Sequence, residues 1–211
     1  MKNFIRILTG SVFLLWSTAQ AEIQYGFGVI AGQTDVSGTE TEGTAADTSD
    51  RSKSIKEFFV GADLFVEYIS DNGIAYGVSY VPLDIELGSG SRTDVNGDDP
   101  AENDDGTRTA SADVTDLITL YANVPMGDNG WYALLGYHHS TVTTQETLNA
   151  SSYGNADIDG YQLGFGQRSG NFKYELAYSD FEDISLTATG GGTNSISADA
   201  DALTLRLSYG F

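Results

Sequence analysis

The 211-residue sequence has no cysteine, three prolines and only ten basic residues against 30 acidic ones. Without cysteine there can be no disulfide, no lipidated cysteine and no thiolate metal ligand, so stability must rest on hydrogen bonding and burial. The shortage of Lys and Arg leaves a formal net charge of −20, the wrong sign for neutralising phosphates, and nucleic acid is not expected as a partner. Long apolar runs are missing too. After residue 21 no stretch reaches the roughly 18 residues that a spanning helix requires, and a helical period is scarce.

The first 21 residues, MKNFIRILTGSVFLLWSTAQA, carry Lys2 and Arg6, an apolar run from Ile7 to Trp16, and Ala19-Gln20-Ala21. A charged start, a short apolar segment and small residues at a cleavage site predict a secretory signal peptide over 1–21. The mature domain is then 22–211, with eight basic and 30 acidic residues, a balance of −22.

The rest of the chain alternates with period two and is rich in Gly, Tyr and Phe. Eight strands are predicted, near 23–33, 56–69, 74–87, 113–124, 131–143, 156–168, 172–185 and 196–211. Their connections alternate in length. SDNG at 70–73, PMGDNG at 125–130 and RSGN at 168–171 have hairpin-turn chemistry. The stretches at 34–55, 88–112, 144–155 and 186–195 read as long polar loops. All short turns then lie at one end of an up-and-down meander, as in a transmembrane barrel.

The faces of these strands differ sharply. One carries Tyr25, Phe27 and Val29, then Phe58, Val60, Leu64 and Val66, and so on to Leu203, Leu205, Leu207, Tyr209 and Phe211, with no charge on it. The other is glycine or polar. Aromatic residues gather toward both ends of the apolar rows, as at two membrane interfaces. In hydrocarbon every backbone N–H and C=O needs a partner, so the sheet must close on itself. An even strand count puts both termini on one side. The fold class read from the sequence is therefore all-β: a closed eight-stranded antiparallel up-and-down transmembrane β-barrel.

With its signal peptide, its eight-strand rhythm and LRLSYGF ending on Phe211, the chain resembles the small bacterial outer-membrane barrels of the OmpA/OmpX type, a porin-like outer-membrane family. The resemblance implies the bacterial outer membrane as location and a salt-bridged polar interior. It also implies that Leu207, Tyr209 and Phe211 act as the C-terminal signal read by the barrel assembly machinery. Outer-membrane lipids and lipopolysaccharide are the expected surroundings of a monomer.

Asp63, Glu67, Lys173, Glu175 and Arg206 fall on the inner face and are expected to form a charge network there. The alternatives are a plug, in which the charges pair, and a narrow diffusion path. Pro82 precedes a change of parity at Leu83, Ile85 and Leu87, which predicts a bulge or the end of the embedded part of that strand. In the acidic stretch 94–105, DVNGDDPAENDD, residues Asp94, Asn96, Asp98, Glu102 and Asp105 occupy positions 1, 3, 5, 9 and 12 of a calcium loop. Asp99 replaces the glycine usual at position 6, so a merely solvated loop is the other reading; no cofactor is expected beyond weakly bound Ca2+. In YHHST, His138 and Ser140 share a strand face, and Asp157 or Asp159 on the next strand could orient the histidine as in a base-activated nucleophile. This is similar to the His-x-Ser arrangement of outer-membrane lipid A deacylases. The inward placement of both residues speaks against it, and a non-enzymatic structural or surface-interaction role is the expectation.

Overall fold

The computed structural model describes residues 22–44, 47–94, 106–147, 152–189 and 194–211. The expected signal segment 1–21 lies outside the described residues.

Ten strands are formed: β1 (Glu22–Thr44), β2 (Asp47–Ile69), β3 (Ala75–Val81), β4 (Ile85–Asp94), β5 (Gly106–Pro125), β6 (Trp131–Glu146), β7 (Asn155–Ser169), β8 (Phe172–Phe181), β9 (Ile184–Thr187) and β10 (Ser195–Gly210). Each pairs antiparallel with its neighbours, and β1 pairs with β10, so the sheet returns to its start. Since β4 prolongs the stave begun by β3, and β9 that of β8, the ten strands make a ring of eight staves. The closing register places Phe27 opposite Tyr209, Val29 opposite Leu207 and Ala31 opposite Leu205. The three expected tight turns are present. Their glycines take the left-handed backbone that hairpin turns demand, with φ 80° at Gly73, 84° at Gly127 and 57° at Gly170.

The polar connections depart from expectation. Residues 34–44 and 47–55 are not loop but the continuation of β1 and β2, in register as far as Thr44 opposite Asp47. Much of 88–112 is likewise the β4–β5 hairpin. The Ser and Thr that suggested flexible loops instead pair across the strands: Ser37 with Ser54 at 2.8 Å, Thr39 with Ser52 at 2.8 Å, and Thr41 donating to Asp50 at 2.8 Å. Hydroxyl pairs on β-branched or small residues stabilise such ladders.

The expected third strand, 74–87, is broken at residues 82–84. Pro82 has no N–H to give to a ladder. Beyond the break Ile85 and Leu87 are buried inside the ring, which explains the parity change. In β5, one extra residue bulges between Thr115 and Ile118, where Asp116 takes a left-handed φ of 54°.

The most informative feature is a reversal of sidedness along the staves. In the half nearest the tight turns, the outward residues are apolar and exposed: Phe58 at 70%, Leu64 at 55% and Leu205 at 62%. The inward residues there are polar and buried, among them Asp63, Glu67, Asn123 and Lys173. Beyond Phe58, Tyr137, Tyr161, Tyr178 and Leu203 the pattern inverts. Lys56, Thr141, Asp157, Asp180 and Asp201 now face outward, while Ile30, Phe59, Ile85, Leu87, Val114, Val142, Ile158, Ile184 and Leu186 form a buried apolar core inside. From Leu203 to Phe211 a strand rises about 27 Å, or roughly 21 Å of height at the tilt usual in such barrels.

Candidate functional site in the lumen

Asp63 and Glu67 are on β2, Lys173 and Glu175 on β8, and Arg206 on β10. All five side chains point into the ring and are buried; Glu67 is 1% and Lys173 2% exposed. Glu67 is the hub. It accepts from Arg168 Nη2 at 2.5 Å, from Lys173 Nζ at 2.9 Å and from the Tyr121 hydroxyl at 3.1 Å. Arg206 lies between Glu175, with Nη1 3.4 Å from Oε2, and Asp63, with Nε 3.5 Å from Oδ2. The Tyr132 hydroxyl donates to Glu175 at 2.9 Å. Lys173 Nζ also sits 3.7 Å from the centre of the Phe65 ring, a cation–π contact that helps hold a desolvated ammonium.

The five expected residues are thus brought together, and sequence reasoning missed their partners. Arg168 supplies the third cation, so Arg168, Lys173 and Arg206 equal Asp63, Glu67 and Glu175 in number, with Glu67 taking two cations and Arg206 shared between two carboxylates. Tyr121, Tyr132 and Phe65 fill the space between. Their rings lie against glycines: a Cβ on Gly77 would fall 2.2 Å from the Tyr121 ring, and one on Gly166 2.5 Å from that of Tyr132. Inward parity was the available signal, since Phe65 alternates with Asp63 and Glu67, and Tyr121 with Thr119 and Asn123.

The His138–Ser140 constellation is not assembled. His138 is buried, hydrogen-bonded to Thr119 Oγ1 at 2.8 Å and Ser179 Oγ at 2.9 Å, and stacked on Phe181. Ser140 is buried and is not its partner. Asp159 bonds instead to His139, at 2.8 Å, and Asp157 accepts from Thr141, both on the outer face. Alternation along β6 sends the two histidines to opposite sides.

Of the calcium candidates, Asn96, Asp98, Glu102 and Asp105 lie outside the described residues, and only the backbone of Asp94, at the end of β4, is described. At the same end of the barrel carboxylates crowd one another. Burial, then Glu86 and Asp84, holds the Asp113 carboxyl above the usual range.

Leu207, Tyr209 and Phe211 stand in one outward row, and Phe211 closes the ring by donating its N–H to the Tyr25 carbonyl at 2.8 Å. Its ring packs on Tyr25 and Tyr209, at 5.8 and 5.1 Å between centres.

No family model matches this chain, and no curated protein does. Among solved structures it is similar to Ail, the attachment invasion locus protein of Yersinia pestis. One Ail structure, a complex with the heparin analogue sucrose octasulfate, gives 12% identity and a TM-score of 0.42, and a second gives 15% and 0.40; each covers 90% of this chain and 99% of Ail. The Salmonella injectisome secretin InvG gives 7% identity and a TM-score of 0.23, over 99% of this chain and 68% of InvG. Likenesses this weak decide nothing about activity. The barrel stands on its own strand pairings.

Proposed function

We propose that the chain is a non-enzymatic barrel of the bacterial outer membrane, a structural or surface-interaction protein whose acidic, strand-built extracellular end meets solvent, lipopolysaccharide and other surfaces. The reversal of sidedness carries this reading. An apolar belt outside a polar interior suits hydrocarbon, and a polar exterior around an apolar core suits water. The boundary between the two regimes is the outer interface. On this reading Leu207, Tyr209 and Phe211 present the row that the assembly machinery recognises, and the barrel is monomeric. Divalent cations beside lipopolysaccharide phosphates screen the acidic surface.

The lumen acts as a plug. Three cations, of which Lys173 and Arg206 are buried and Arg168 partly accessible, are matched in number by three buried carboxylates. With aromatic rings between them, they leave no net charge among the described lumen residues to draw ions through. The refolded domain is expected to be silent in a planar bilayer under conditions where it resists unfolding as a barrel. Discrete openings whose conductance changes in Arg206→Gln would overturn the plug and make the barrel a narrow channel.

A further inference from the structure

Among the described residues a ladder is missing at two places in the ring. One is between β7 and the four-residue β9, where only an isolated bridge joins Ser152 to Thr189. The other, over a longer stretch, is between β2 and the ten-residue β4. β3 pairs with β2 only from Leu64 opposite Tyr80 down to Ile69 opposite Ala75. Above that level β4 is laddered to β5, and β2 to β1. No ladder joins β2 to β4 among the described residues. Side chains close this seam instead. Val81 lies 3.8 Å from the place a Cβ on Gly61 would take, Ile55 covers Gly88 at 3.0 Å, and the Lys53 ammonium reaches to 3.3 Å from the same point on Gly90.

The lower lip of the seam belongs to the apolar belt. Phe58, Val60 and Leu83 all face outward there and are more than half exposed. An unpaired backbone edge at that depth is expensive in hydrocarbon and is tolerated where protein buries it, as the side chains closing the seam do. Inside the ring, behind the seam, is a cavity of about 40 Å³. Its wall includes Phe59 from β2 and Ile85 and Leu87 from β4, with Val114, Leu117 and Ile158 farther round. That volume holds roughly three water-sized or methylene-sized groups. His138, Gln162 and Arg206 also line it, but the surface presented to the chamber is mostly apolar, which favours methylenes.

We propose that the β2–β4 seam is a lateral port, and that the chamber behind it binds the end of a single acyl chain from a lipid of the adjacent leaflet. The inference rests on the membrane reading above. The port works by parting side-chain contacts, which is cheaper than breaking a ladder. The occupant is hydrocarbon because the seam opens on the apolar belt, and it is one chain because the cavity is small.

The test uses the refolded domain in vesicles containing a phospholipid with a diazirine at its acyl-chain end, photolysed and mapped by peptide mass spectrometry. Adducts on the inward residues Leu117 and Ile158 are expected, beside those on the outward Phe58, Val60 and Leu205. A cysteine Cβ at 88 would stand 3.7 Å from that of residue 55, the separation a disulfide takes, and the chain offers no competing thiol. The oxidised I55C/G88C variant should lose the inner adducts, keep the outer ones, and regain the inner ones on reduction. Because Gly88 has a φ of 153°, a side chain there is strained, and Ala200→Leu, which fills the chamber wall, is the second variant; it should lose the inner adducts as well. Labelling confined to outward residues would overturn the port and leave the membrane reading intact. Labelling of neither face would overturn both.

Discussion

Glu67→Ala is expected to destabilise the barrel by about 3–5 kcal/mol, the cost of breaking a buried ion pair from one side. The loss is large because Glu67 serves three donors at once, Arg168, Lys173 and Tyr121. Arg168 is partly accessible and can turn toward water. Lys173 cannot: its side chain is 2% exposed and would be left with the Phe65 ring and the Tyr121 oxygen at 3.4 Å. Urea unfolding of the refolded protein, followed by Trp131 fluorescence, measures the change. Adding Lys173→Met should recover part of it, since removing both charges leaves nothing unpaired. By contrast, the exposed Lys56–Asp35 pair is expected to be removable with little effect. If Glu67→Ala were as mild as that surface change, the lumen would be hydrated, and the plug reading would fail with it.

The second large effect tests the exterior. Leu64→Arg is expected to cost about 2–4 kcal/mol, the value for an arginine on the lipid face near mid-bilayer. Leu64 is outward and 55% exposed, in the middle of the β2 row that runs from Phe58 to Tyr68. In a water-soluble protein the same change would be harmless, because an exposed leucine would merely become a solvated arginine. Ser54→Arg, on the same strand above the reversal, should cost no more than its exposed hydroxyl pair with Ser37, well below the Leu64→Arg effect. The comparison can be made by unfolding in lipid vesicles, and equal effects at both positions would exclude a membrane boundary between them.

The ring of staves was legible because a lipid-facing strand announces itself twice, by apolar alternation and by turn glycines. The same period-two parity marked the inner face, so Asp63, Glu67, Lys173, Glu175 and Arg206 could be named from the sequence. Which cation meets which anion could not. Parity assigns a side and a height and leaves the position around the ring open, and the link of Arg168 on β7 to Glu67 on β2 crosses the barrel. The tall polar hairpins were missed for a different reason. Ser, Thr and Gly in runs resemble loop composition, and nothing local in the chain says that Thr39 will find Ser52 opposite. The apolar core above the charge network was hidden in the same way: Ile85 and Leu87 have the right spacing for either face, and the break at Pro82 decides between them.

The closing pair of strands also bears on time. β1 begins at Glu22 and must wait for β10, the last strand to emerge, before its outer edge has a partner. Until then the growing chain is a sheet with two raw edges, the most aggregation-prone state a β-protein passes through. No useful intermediate can be finished from the N-terminal side, because the contact that completes the ring spans nearly the whole sequence. The Phe211 amide bonding to Tyr25 is the last contact of that closure, and a chain lacking β10 would remain open whatever the quality of the rest.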